Sequence, residues 1–568
     1  MKKRMGIILI LIVVVGAGLF FVLKGRSAVG QYARYLPSSV IGAVNLTHLA
    51  AVSDNIAASS LGRLLSKDTM HIILRELGGD DETTAEYDEL YDSVVGVATD
   101  PAFRTVFGDD VTLALLSPDK IDPARDPMET FRQSFLVVAR TAAAGAIDML
   151  SKVIRHVKIS RETIDGITFV KISVDGGQEV YGYTEGKLLF LAYNPAVIRI
   201  CVAGDKSVER LEQAPLYQQA AAYWQPYPAG DVYSRVYLNV GQLARLMQTS
   251  PDRDLREKGE LLAGVTSLFS VTYLTGQGME SKGYSSYRYD QLHPLIKSAV
   301  DTAGVNRTLP LFKENTLIYN WASSLQPELL LGSLDSDEQV YQEMDRDVRQ
   351  HLGVSLDELG RAFGPQYGGL LDEITRTPLF PWPKAVLFIE SRDREIAERV
   401  LGGIRRLVAG SGIVGEQREE VQGHEVFSWP VLPGESVQPA VALTDDMLYF
   451  STSKDALKKL LAADTAADGL PAAIHKSLGS ETADRLVAAN SSVLVVQPQQ
   501  MATQLGAAMD WLGGILAATK NVSTGRLNSE LVQLLQSMER IVVTGNLAAE
   551  RADWTMAVKK ASRQSSRR

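Results

Sequence analysis

Ser451-Thr452-Ser453-Lys454 sets a hydroxyl three residues before an amine, the spacing with which serine acyl-transfer enzymes bring a lysine to their nucleophile. Ser53-Asp54-Asn55 offers a second element of the same chemistry. In those enzymes Ser-x-x-Lys comes first and Lys-Thr-Gly follows, whereas here the order is reversed and Lys-Thr-Gly is missing. Ser453 therefore reads as a helix N-cap, its hydroxyl accepting from a free backbone N–H.

Other motifs dissolve in the same way. Gly410-Ser411-Gly412-Ile413-Val414-Gly415 has the spacing of a dinucleotide loop, but it follows the helical stretch Glu395 to Val408, not a strand, so its glycines should end a helix. The histidines His48, His71, His156, His293, His351, His424 and His475 include no i, i+4 pair and no His-Glu-x-x-His, the patterns that set two imidazoles on one helix face for zinc. Asp80-Asp81-Glu82-Thr83-Thr84-Ala85-Glu86 lacks the sixth-position glycine and alternating ligands of a calcium loop, and predicts a solvated loop entering a helix. Cys201 is the single cysteine, which excludes an intramolecular disulfide; its apolar neighbours predict a buried small hydrophobe. No catalytic, cofactor-binding or metal-ligating residue is assigned, no cofactor is expected, and the chain is expected not to be an enzyme. One interaction element stands out: Gln499 to Ala518, with Met501, Leu505, Met509, Leu512 and Leu516 along one side and Trp511 nearby. That stripe is expected to pack on its own sheet, the alternative being contact with a partner or lipid.

The elements that would position these residues are written twice. Phe107-Gly108 answers to Phe363-Gly364, the apolar run 135–140 (Phe135 to Arg140) to 385–390 (Ala385 to Glu390), the turn Ile164-Asp165-Gly166 to Val421-Gln422-Gly423, and Leu188-Leu189-Phe190-Leu191 to Met447-Leu448-Tyr449-Phe450, at offsets of 256, 250, 257 and 259. A period of that size is a whole domain, not a solenoid repeat. Within each copy an apolar strand, a helix (Ala142 to Val157 in the first), three strands joined by glycine turns and a further helix follow in order. Ser336 with Gln339 and Ser355 with Glu358 read as capping boxes. Short turns between strands imply antiparallel pairing, so the class is α+β, with helices expected on one face of the sheets.

Residues Gly6 to Leu23 form an 18-residue uncharged apolar stretch flanked by Lys2, Lys3, Arg4, Lys24 and Arg26. At 1.5 Å per residue this spans roughly 27 Å and is expected to be an uncleaved transmembrane anchor, with a short cytoplasmic tail and the bulk of the chain periplasmic or extracellular. The expected organisation is an anchor at 1–30, a first α+β domain at 31–297, a linker at 298–310, a second domain at 311–558 and a basic disordered tail at 559–568. Beyond residue 26 there are 53 basic and 67 acidic residues, a formal charge of about −14, which argues against nucleic acid as a partner.

The opening Tyr35-Leu36-Pro37-Ser38-Ser39-Val40-Ile41-Gly42-Ala43-Val44-Asn45-Leu46 beside an anchor and before duplicated sheet units resembles bacterial membrane-anchored envelope proteins of an uncharacterised domain-of-unknown-function family. The resemblance implies an extracytoplasmic location and carries over no site residue. The functional expectation is a non-enzymatic, membrane-tethered protein for binding, scaffolding or assembly in the bacterial envelope, held at the inner membrane through Gly6 to Leu23, with an envelope protein or lipid as partner. The alternatives are an envelope hydrolase with a dispersed active site and a carrier of an apolar ligand.

Overall fold

The computed structural model describes residues 32–561 except 49–57, 93–100, 108–109, 117–126, 142–156, 175–177, 203–207, 228–230, 326–337, 378–379, 411, 413–414, 463–473, 476–477 and 521. The chain is α+β and forms two compact units divided between Leu292 and His293.

In unit 1 the described strands are β1 Val40–Thr47, β2 Asp110–Leu116, β3 Phe135–Arg140, β4 Val157–Ile164, β5 Ile167–Val174, β6 Gln178–Glu185, β7 Leu188–Ala192, β8 Val232–Leu238, β9 Val265–Thr275 and β10 Gly278–Tyr287. They lie side by side in the order β4-β5-β6-β7-β3-β2-β1-β8-β9-β10, every neighbouring pair antiparallel. Unit 2 contains β11 Ile318–Ala322, β12 Phe363–Arg376, β13 Pro381–Ser391, β14 Gln417–Val421, β15 His424–Ser428, β16 Ala440–Leu443, β17 Met447–Ser451, β18 Ser492–Val496, β19 Met538–Ala548 and β20 Arg551–Lys560. Their order is β14-β15-β16-β17-β13-β12-β11-β18-β19-β20, again antiparallel throughout. Each strand of unit 1 thus has its counterpart ten numbers later.

The correspondence extends to individual residues. In unit 1 Thr112 pairs with Val138 and Val138 with Phe190; in unit 2 Gly368 pairs with Phe388 and Phe388 with Tyr449. The offsets along this row are those read from the sequence. Both copies also turn β4 into β5, and β14 into β15, through two residues of positive φ: Asp165 (50°) with Gly166 (80°), and Gln422 (51°) with Gly423 (79°). This is the two-residue loop whose twist matches that of the flanking strands. Asn194 and Ser453, matched by the repeat, both cap helices, accepting from the N–H groups of Ala196 (2.9 Å) and Ala456 (3.2 Å).

The expectation of helices on one face is corrected. Along β3, Leu136 and Val138 join a core with Ile198 and Trp224, while Ala139 and Val137 join a separate core with Val106 and Phe107. Unit 2 does the same: helix Lys454–Leu461 covers Tyr319, Phe388 and Tyr449, whereas helices Glu338–Leu352, Leu356–Ala362 and Arg394–Gly410 cover Phe427, Val441 and Leu448. The physical reason lies in the unbroken apolar runs, such as Ala440–Leu443, in which every residue is buried. A strand of that kind is satisfied only between two layers. Val157, expected to end a helix, instead begins β4; most of that predicted helix lies outside the described residues.

The expected membrane span is also corrected: among the described residues no helix is long and apolar enough to cross a membrane. Helix Pro498–Lys520 has the length, but Gln499, Gln500, Gln504 and Asp510 interrupt its apolar surface. Gly6 to Leu23 lie outside the described residues. The stretch 298–310 carries the end of helix Pro294–Asp301 and the start of the turn Leu309–Leu311, whose two leucines are buried in the core of unit 2.

Candidate functional site

Two places depart from the shared plan, and both are visible only by laying one unit on the other. The first is in unit 2. After β8, unit 1 has helices Val240–Gln248 and Arg253–Leu261; after β18, unit 2 has helices Pro498–Lys520 and Gly525–Gln536. The first helix of the pair thus runs to 23 residues against nine, an extension of roughly 20 Å. Gly513 makes the return possible, since a Cβ there would stand 2.5 Å from Thr524 Oγ1. The hairpin β12–β13 is lengthened too, with 14 and 11 residues against seven and six in β2 and β3.

The two extensions meet. The Ile374 N–H donates to Gln504 Oε1 at 2.7 Å, and the Phe380 ring lies 5.4 Å from Trp382 and 6.1 Å from Trp511, centroid to centroid. The Trp382 indole is anchored by donation to the Thr452 carbonyl at 2.8 Å. Beyond this contact the helix is open: Trp511 is 40%, Leu512 51% and Ile515 39% exposed. Along the apolar stripe read from the sequence, Met501, Leu505, Met509 and Leu516 are half-buried, while Leu512 and the neighbouring Trp511 are exposed.

The second departure is a buried polar row in unit 1. Thr112, Asn45 and Arg235 lie abreast on β2, β1 and β8. Asn45 Nδ2 donates to Asp110 Oδ1 at 2.6 Å and to Thr112 Oγ1 at 3.1 Å, and the Tyr32 hydroxyl donates to the Asp110 carbonyl at 3.1 Å. A cavity of about 30 Å³ lies here, lined by Arg235, Asn45, Thr112, Tyr217, Trp224 and Tyr237. Burial pushes the Arg235 guanidinium down to about 10 and the Tyr217 and Tyr237 phenols up to about 12, and raises the Asp110 carboxyl. At neutral pH the phenols are protonated and stand beside a cation.

The motifs singled out in the sequence take structural places. Ser451 Oγ donates to the Ser453 carbonyl at 2.8 Å, Ser453 Oγ caps its helix, and Lys454 Nζ pairs with Glu419 (2.8 Å) and Glu435 (3.4 Å). Hydroxyl and amine are committed to separate partners. Ser53, Asp54, Asn55, Ser336 and His156 lie outside the described residues. Gly410 ends its helix. Asp80 caps helix Asp81–Tyr91, Ser355 and Glu358 form the reciprocal capping box, and Cys201 is buried, its thiol pushed up to about 12 by desolvation. His71 pairs with Asp88 at 2.7 Å and His293 caps a helix, while His48 stacks edge-on to Tyr233. Among the described residues no group of three or more His, Cys, Asp and Glu side chains could hold a metal ion.

No family model matches the chain, and no curated protein matches it. Among solved structures, crystal form III of TP0453 aligns at 8% identity over 49% of this chain and 90% of that one, with a TM-score of 0.26; form IV aligns at 8% over 46% and 81%, with 0.23. Likenesses of this size carry no argument about the fold or its use.

Proposed function

We propose that the protein is a non-enzymatic binding or assembly protein, built from two copies of one domain by internal duplication, and that the outer part of helix Pro498–Lys520 is its contact face. One observation carries the reading: the exposed apolar side chains Trp511, Leu512 and Ile515 lie in the length of helix for which unit 1 has no counterpart. An extension that served only to stabilise unit 2 would bury its large side chains. This one leaves three of them exposed, with Trp511 against the Phe380 ring, which packs in turn on Trp382. Rigid aromatic and aliphatic residues on a supported element suit the apolar surface of a protein partner or lipid.

A photo-crosslinking amino acid at position 512, with one at the exposed turn residue Glu550 as control, tests the reading in intact cells. Adducts at 512 and none at 550 are expected, and Leu512→Asp introduced beside a crosslinker at 511 should abolish them without lowering the melting temperature. Equal labelling at both positions, or none at 512, refutes it.

A further inference from the structure

The polar row of unit 1 has a counterpart against which it can be judged. Strand pairing sets Thr112, Asn45 and Arg235 against Gly368, Trp321 and Val493 of unit 2. Trp321 is fully buried, its indole donating to Gln366 Oε1 at 3.0 Å, and Gln366 stands where unit 1 has Asp110. One copy thus closes this row with an indole and a valine, while the other holds a cavity and a cation. Arg235 is only 3% exposed, and its Nε and Nη2 hydrogens have no acceptor among the described residues. The nearby carboxyl, Asp110, accepts from Asn45 instead. A buried cation lacking an acceptor is unfavourable, and the same chain contains an apolar arrangement of the same strands that avoids it.

We infer that the cavity under helix Pro215–Trp224 is a binding site for a small carboxylate, anchored by Arg235. A guanidinium offers paired N–H groups at the spacing of two carboxylate oxygens. The cavity volume of about 30 Å³ corresponds to two or three water-sized spheres, the size of a carboxylate group and less than a phosphate or sulfate requires. Asn45 and Thr112 bond one another and hold the wall in place, and the Tyr217 hydroxyl adds a neutral donor.

Calorimetric titration of the full chain with formate and acetate, at ionic strength held constant with chloride, tests this. Saturable binding to one site is expected, with no competition from phosphate, and Arg235→Met should weaken it at least tenfold. Should that variant fail to fold, the wild-type titration decides alone. Heats that do not saturate into the tens of millimolar, or that chloride reproduces, overturn the site, as does an Arg235→Met protein that folds and binds acetate unchanged.

Discussion

Replacing Arg235 by methionine removes a guanidinium and leaves an unbranched stem in its place, so the change isolates the cost of burying the cation. Two views of that cost agree. Two buried donors without acceptors, Nε and Nη2, cost about 1–3 kcal/mol each. Burial also draws the group from its ordinary 12.5 down to about 10, equivalent to about 3 kcal/mol at 1.36 kcal/mol per unit. These describe one effect and are not added. Attraction to Asp110, which opposes the downward shift, and relaxation around the site reduce the gain, leaving an expected stabilisation of about 1–3 kcal/mol for Arg235→Met. For a unit of this size that raises the melting temperature by about 2–6 °C. Scanning calorimetry of the full chain measures the shift, and a urea titration should show a higher midpoint at unchanged slope. A variant that melts below the wild type would mean the guanidinium is well satisfied where it stands. Arg235 would then need no bound anion, and the cavity would be no carboxylate site.

The sister copy should answer in the opposite sense: Trp321→Ala removes a fully buried indole and should cost about 3–5 kcal/mol in a urea titration, while a cost below 1 kcal/mol would show the row is not sealed by that ring. Gly166→Ala and Gly423→Ala, at φ of 80° and 79° with open space at each Cβ, should each cost about 1–2 kcal/mol from backbone strain alone; markedly unequal losses would deny the matching of the two turns. Glu358 is held down to about 2 by the Ser355 N–H and then by Arg399. Because its folded value is depressed, its contribution is present above the ordinary 4.5 and lost as pH falls towards 2. The gap in melting temperature between wild type and Glu358→Ala should therefore be full at neutral pH and close across that window, and a gap independent of pH would contradict the assignment.

Local chemistry made much of the fold legible. Strand β18 was readable to its ends from Ser492–Val496, and the turns Asp165-Gly166 and Gln422-Gly423, the caps Asn194 and Ser453, and the box Ser355 with Glu358 each signal themselves within a few residues. The strands β2 and β12 are harder to read, because Asp110–Leu116 and Phe363–Arg376 lack a strict alternation of apolar and polar residues. Two-sided burial was written in runs such as Phe135–Ala139, but period-based reading cannot say what lies above and below such a strand. The polar row was hidden for a different reason. Asn45, Thr112 and Arg235 stand 276, 256 and 258 residues before their counterparts Trp321, Gly368 and Val493. No single offset brings the three together. Only ladder register does so, after which a lone arginine in Val232–Leu238 becomes conspicuous.

The two departures from the common plan also fall where the sheet can accept them. Lengthening β12, β13 and the helix after β18 adds residues at the free ends of elements, beyond the last rungs of their counterparts in unit 1, so no existing pair loses its partner. Exchanging the row across β2, β1 and β8 changes side chains on one face and leaves every backbone hydrogen bond in place. Packing alone gives no reason for an arginine there, since unit 2 demonstrates an apolar filling of the same three strands. It gives no reason either for Leu512 and Trp511 to face water, since the first turns of their helix are covered by the sheet. In a chain that builds one sheet twice, the residues that stability does not explain are those in which each copy departs from the other, and it is there that both proposed binding sites are put to the test.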